Sequence, residues 1–114
     1  MRKINETEIK GKDLEPIFEL KKRLKEEFPD VGIILYGSKV RGDDEEFSDI
    51  DLLILLDGEI NSKLKEKVIG IAYDVELKYD VVFSIIVENR EFWNSPLAET
   101  MPLHWNIDKE GVLL

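Results

Sequence analysis

Two aspartates, Asp49 and Asp51, open an apolar run from Ile50 to Leu56, with one residue between them. On an extended strand, residues two apart project from the same face, so these carboxylates lie side by side while Ile50 turns away. Like charges at that spacing repel unless a cation lies between them, and a pair of hard oxygen ligands suits Mg²⁺. A third acid, Asp80, stands in Lys78-Tyr79-Asp80-Val81-Val82, flanked by residues of buried type. Three converging carboxylates are what a two-metal phosphoryl-transfer site requires.

Gly37-Ser38 supplies the complementary half. Glycine at the end of a strand lets the backbone approach a phosphate closely, and a serine hydroxyl with N–H groups at a helix start binds phosphate oxygens. Lys39 and Arg41 add positive charge, and Gly42 lets the chain turn again. Taken singly these signals are weak. Asp49 alone reads as a loop acid after Ser48, and Asp80 alone as a charged residue at the start of a strand. The conjunction is informative: Gly-Ser after an apolar strand, ten residues (39 to 48), then Asp-x-Asp opening a very apolar strand.

The elements that must position these groups follow from periodicity. Asp13 is expected to cap a helix running to about Glu27, with Pro16 in its first turn and a stripe of Leu14, Ile17, Leu20, Leu24 and Phe28. Val31 to Tyr36 reads as a strand, and Ile50 to Leu56 as a second, central one, apolar on both faces after Asp51. A helix is expected over about Ser62 to Leu77, a third strand over Tyr79 to Val87, and a helical region between Asn89 and Glu110 broken at Pro96 and Pro102. Gly111 ends it. The second strand, the helix after it and the third strand form a βαβ unit, so those strands run parallel. The short link from Ser38 to Ser48 favours antiparallel pairing of the first two. That topology brings the end of strand one and the starts of strands two and three, Asp80 included, to one edge of a mixed sheet.

The bulk numbers narrow the function. A length of 114 residues suits one domain, residues 1–114, and 43% hydrophobic residues are enough for a packed core. The net charge of -9 and the absence of any basic tract argue against a nucleic-acid partner. A nucleotide carrying its own divalent cation remains compatible, because the metal brings the missing positive charge. Without cysteine there are neither disulfides nor thiolate metal sites. No apolar signal core or spanning run is seen, so the expectation is a cytoplasmic protein with no membrane partner. His104, the sole histidine, lacks a metal-spaced partner and reads as a surface or helix residue. Trp93 and Trp105, with Phe92 and Leu103, read as core or a partner-facing patch. Asp43 to Glu46 reads as a solvated loop, and Lys21, Lys22, Arg23 and Lys25 as a solvated helix face. The apolar end Val112-Leu113-Leu114 reads as an interface, leaving oligomerisation open.

The stretch Gly37-Ser38-Lys39-Val40-Arg41-Gly42 through Ser48-Asp49-Ile50-Asp51-Leu52-Leu53 resembles the signature of the DNA polymerase beta superfamily of nucleotidyltransferases. More narrowly it is similar to the stand-alone minimal nucleotidyltransferases of prokaryotes that are paired with HEPN-domain proteins. The resemblance implies an α/β (α+β) nucleotidyltransferase fold, a mixed sheet of three or slightly more strands with helices packed on it. It implies transfer of AMP from ATP to a hydroxyl of a partner, a tyrosine of a HEPN toxin, with this chain as antitoxin. Two Mg²⁺ ions would be held by Asp49 and Asp51, with Asp80 on one of them and helping to deprotonate the acceptor. Gly37, Ser38, Lys39 and Arg41 would bind the nucleotide, with Ser38 and its backbone on the β- and γ-phosphates. Lys39 stands where many relatives carry arginine, which keeps the charge and loses the planar fork. Asp80 matches the third carboxylate by strand position only, with Glu76 and Glu88 as competitors. Two alternatives stay open: transfer to a small molecule such as an aminoglycoside with a helper subunit, and an antitoxin that neutralises its partner by contact.

Overall fold

The computed structural model describes residues 1–4, 9, 11–42 and 48–114. In chain order the elements are β1 (Arg2–Lys3), α1 (Gly11–Glu27), β2 (Gly32–Tyr36), α2 (Ser38–Arg41), β3 (Ile50–Leu56), α3 (Ser62–Tyr79) and β4 (Phe83–Asn89). After these come α4 (Arg90–Trp93), α5 (Pro96–Glu99), α6 (Pro102–Glu110) and β5 (Val112–Leu113). The acidic run from Asp43 to Glu46 lies outside the described residues.

One mixed sheet holds the strands in the order β1-β5-β2-β3-β4. β2 and β3 are antiparallel, with Tyr36 opposite Asp51, and β3 and β4 are parallel, with Asp51 opposite Ser84. Both pairings are the expected ones, and the fold is the mixed α/β arrangement the resemblance implied. The sheet is larger than three strands because both chain ends join it. β5 runs antiparallel to β2, and the two-residue β1 runs parallel to β5. Val112 is thereby fully buried inside the molecule, whereas Leu113 beside it is 41% exposed.

Strand alternation sorts the core onto two faces. Ile33, Leu35, Ile50, Leu52, Ile54 and Leu56 pack with Ile17, Leu20 and Leu24 of α1 and Val68, Ala72 and Val75 of α3. On the other face Ile34, Leu53 and Leu55 pack with Trp93 and Ile107. β3 is buried on both faces, as its composition requires.

Three boundaries depart from expectation. α1 begins at Gly11, so Asp13 is not a cap; it sits inside the helix and is buried. Pro16 accordingly falls in the second turn, where it lacks an N–H to donate to the ladder. The third strand begins at Phe83 and not at Tyr79, because α3 continues through Tyr79 and ends on Asp80 in the left-handed conformation, φ 54 and ψ 50. The Asp80 and Val81 N–H groups both donate to the Glu76 carbonyl, and the Glu76 carboxylate accepts from the Phe83 N–H at 2.8 Å. These bonds absorb the residues that composition assigns to a strand.

The last helical region breaks at both prolines, each at the start of a new helix. Asn89 and Ser95 cap α4 and α5 by accepting from the Phe92 and Ala98 N–H groups. His104 is buried, not superficial: its ring stacks on Trp93 with centroids 4.4 Å apart, and Nε2 lies 2.9 Å from the Trp93 carbonyl. Trp93 is core, whereas Trp105 is exposed on α6.

Candidate functional site

Asp49 and Asp51 enter β3 at the edge where β2 ends, on the face that carries Leu53 and, behind it, α6. Asp49 is exposed and Asp51 half-buried. The pKa of Asp51 is raised above that of an ordinary aspartate, first by burial and then by the Asp49 charge; Arg41 pulls it down, Glu110 pushes it up, and a hydrogen bond with Ser84 pulls it down. An aspartate whose ionisation is opposed by burial and by a neighbouring carboxylate forms, with that neighbour, a donor set that favours a bound cation. Tyr36, across the ladder from Asp51, has its phenol pKa raised by burial and by the Asp51 charge.

Gly37 closes this corner. Its φ of 84 and ψ of -158 lie outside the range of most side chains, and a Cβ there would collide with the Asp51 carboxylate oxygen. Asp51 can sit against the Gly37 backbone only because that residue is glycine. The chain then turns into α2: the Val40 and Arg41 N–H groups donate to the Gly37 carbonyl at 3.1 and 3.2 Å, and Gly42 ends the turn at φ 78. Ser38 is the first residue of this turn. Gly37, Ser38, Arg41, Asp49 and Asp51 are therefore brought together.

Lys39 and Asp80 are not. Residues two apart on a helix point about 200° from one another, so Arg41 and Lys39 leave α2 on opposite sides. Arg41 faces Asp51, whereas the Lys39 ammonium is buried beneath the sheet, 3.5 Å from Asp13 Oδ2, with side chains 3% and 6% exposed. Asp80 lines a cavity of about 370 Å³ together with Asp13, Lys39 and Ile50, hence on the α1/α3 side of the sheet. Ile50 and Asp51 are neighbours on one strand and point oppositely, which separates Asp80 from the pair. The residue beside Asp51 on β4 is Ser84, a neutral hydroxyl. The other acids considered for the third position do not fill it: Glu76 binds the Phe83 N–H, and Glu88 lies opposite Leu55 toward the far end of β4. Among the described residues no group of three or more acidic, His or Cys side chains is arranged to hold a metal. The donor set that fits a divalent cation is Asp49 with Asp51.

Glu110 went unrecognised in the sequence. From the last position of α6 its Oε1 accepts the Gly37 N–H at 3.1 Å, and Arg41 Nη1 donates to Oε1 and Oε2 at 3.1 and 3.0 Å. The only local sign was an acid at a helix C-terminus, directly before Gly111, where the helix dipole disfavours negative charge. Ser84 had a clearer signal: once β3 and β4 are taken as parallel and in register, parity places it beside Asp51.

An acidic pair beside a glycine turn, on a mixed sheet of this order, is the arrangement the sequence resemblance led one to expect. The family model for the nucleotidyltransferase domain matches residues 17–101, and the chain belongs to that family of enzymes. Two proteins of Methanocaldococcus jannaschii, provisionally named protein adenylyltransferases, are similar to it. One is 42% identical over 67 residues, spanning 59% of this chain and 68% of that protein. The other is 40% identical over 82 residues, spanning 72% and 75%. A chain from a crystal structure of a toxin–antitoxin with AMP-PNP superposes with a TM-score of 0.59 at 17% identity, covering 91% of this chain and 72% of that one. That likeness establishes the shared fold.

Proposed function

We propose that this protein transfers AMP from ATP to a hydroxyl of a partner protein, with Asp49 and Asp51 holding a divalent cation, Mg²⁺ by the hardness of its donors. The observation that carries the reading is the packing of Asp51 against Gly37, which sets a carboxylate pair beside a backbone turn suited to phosphate. When bound, the cation supplies positive charge to the triphosphate. Ser38 and the Gly37 turn bind and orient the phosphates, and Arg41 adds charge at the same corner. The acceptor hydroxyl oxygen forms the new bond to the α-phosphorus, the bond to the bridging oxygen breaks, and pyrophosphate leaves with that electron pair. The hydroxyl proton passes to solvent. The chain's contribution is positioning and electrostatics.

A protein acceptor is favoured by two observations. The similar M. jannaschii proteins carry that activity in their names, and the net charge of -9 disfavours a polynucleotide. The toxin–antitoxin relative in fold supports an antitoxin role, and the resemblance of the sequence motif points to a HEPN-type toxin as the partner. No helix among the described residues is long and apolar enough to cross a membrane, which fits a cytoplasmic setting where ATP is available. Lys39 and Asp80 are left out of the site, since their positions serve the opposite face.

The test is incubation with Mg²⁺ and α-labelled ATP, alone and with the product of the neighbouring gene. Label should appear on the partner and vanish in Asp49→Ala/Asp51→Ala. Neutralisation of the partner that survives this double substitution, with no label transferred, would overturn the reading in favour of contact alone. Ser84 at the place of a third carboxylate makes that arm of the experiment decisive.

A further inference from the structure

The Glu110 carboxylate lies outside the segment matched by the family model, yet it touches both basic and backbone donors of the site. Topology brings it there. α6 ends at Glu110, and the chain then enters β5, which pairs with β2 through Leu35 opposite Val112 and Ile34 opposite Leu113. Gly37 follows the end of β2. Glu110, separated from β5 by Gly111 alone, is therefore brought beside Gly37, the residue just after β2.

This corner is firmly held. The Gly111 N–H donates to the Ile107 carbonyl at 2.7 Å, the Leu114 N–H to the Ile33 carbonyl at 3.0 Å, and Arg2 donates to the Glu110 carbonyl at 3.4 Å. A Cβ on Gly111 would collide with the Ile107 carbonyl oxygen, so the backbone passes too closely for any other residue. The Glu110 side chain is 20% exposed, whereas Arg41, which it engages, is 48% exposed. An anion at the end of a helix, close enough to Asp51 to oppose its ionisation, works against two local electrostatic preferences. Such departures from local rules mark places where function sets the residue.

We propose that Glu110 is a positioning residue for the nucleotide. Its carboxylate ties the Arg41 guanidinium and the Gly37 N–H into one fixed platform beside Asp51, so that Arg41 meets the triphosphate already oriented. The alternative, a carboxylate that occupies the anion seat and must be displaced, needs a movable segment, and this one is anchored by α6 on one side and β5 on the other. The proposal rests on the nucleotidyltransferase reading of the same site.

It is tested by calorimetric titration of ATP with Mg²⁺ into the wild-type chain and into Glu110→Ala, Glu110→Gln, Arg41→Met and Arg41→Met/Glu110→Ala. Glu110→Ala should weaken binding about tenfold, the scale of one charge-assisted contact. Glu110→Gln, which keeps an acceptor for Gly37, should recover part of that loss and hold the fold should the alanine variant unfold. Removing Glu110 after Arg41 is gone should cost much less than removing it from the wild type. In the transfer assay KM for ATP rises while kcat is held. Unchanged or tighter binding by both Glu110 variants overturns the proposal alone. A wild-type chain that binds no ATP overturns the reading on which it rests as well.

Discussion

The two faces of the sheet carry the same kinds of residue and use them in opposite ways. On the α6 face Arg41, Asp49, Asp51 and Glu110 gather at a partly open corner, where charge is crowded and Asp51 is pushed away from easy ionisation. On the α1/α3 face Lys39 and Asp13 meet almost out of contact with solvent. Lys39 and Arg41 are two residues apart on one short helix. A positively charged side chain near Gly-Ser is thus not by itself a ligand for phosphate; the face it takes decides whether it faces a ligand or supports the fold.

The largest expected effect separates those roles. Lys39→Met leaves Asp13 as a buried charge without its counter-ion, which costs about 3–5 kcal/mol. Asp13 Oδ2 has no hydrogen-bond partner among the described residues, so little else compensates. Asp13→Leu/Lys39→Met should recover most of the loss, since a buried ion pair exchanged for apolar residues is close to neutral. Arg41→Met, which breaks a pair exposed to water, should cost less than about 1 kcal/mol in denaturant titration while weakening nucleotide binding. If Lys39→Met unfolds no more easily than Arg41→Met, the contrast between the faces is wrong.

The next effect in size concerns Asp80. A non-glycine residue at φ 54 is strained, and glycine relieves that strain, so Asp80→Gly should stabilise the protein by about 1 kcal/mol in denaturant titration. Transfer activity should stay within about twofold of wild type, because Asp80 lines the cavity shared with Asp13 and Lys39 and not the Asp49–Asp51 corner. A collapse of transfer in a stable Asp80→Gly variant would return Asp80 to the site and break the comparison from the other side.

Asp80 also shows where sequence legibility ended. The alternation of β3 was readable because it is buried on both faces, and it set Asp49 and Asp51 on one side correctly. The turn at Gly37 was readable because a close approach demands glycine. The start of β4 was not, because Tyr79, Val81 and Val82 have strand-like composition, while Glu76 supplies side-chain and backbone acceptors that let α3 run on and close with a left-handed residue. The early start assigned to β4 put Asp80 on a strand, whereas it closes α3, and the residue beside Asp51 on β4 is Ser84. Glu110 was hidden for a different reason: its partners lie 69 and 73 residues away, and only the pairing of β5 with β2 unites them.

The smallest effect probes the crowding itself. A carboxyl whose folded-state pKa is raised contributes stability that is fully present below its unfolded pKa and is lost as pH rises through the folded value. For Asp51 that loss begins just above the ordinary aspartate value of 3.8, so at neutral pH the ligand-free protein carries a destabilising charge. Asp51→Asn removes the charge at nearly constant shape. Its thermal midpoint should exceed that of the wild type at pH 7, by less than the gain from Asp80→Gly because the group is only half-buried. The difference should close as pH falls below 3.8, where wild-type Asp51 is protonated as well. Added Mg²⁺ should raise the wild-type midpoint and leave the Asn variant nearly unmoved, since a cation bound only to the folded state stabilises it in proportion to its affinity. An Asn variant no more stable at pH 7 than at pH 3.5, relative to wild type, would mean that the α6 face tolerates its charges as easily as the other face tolerates its buried pair.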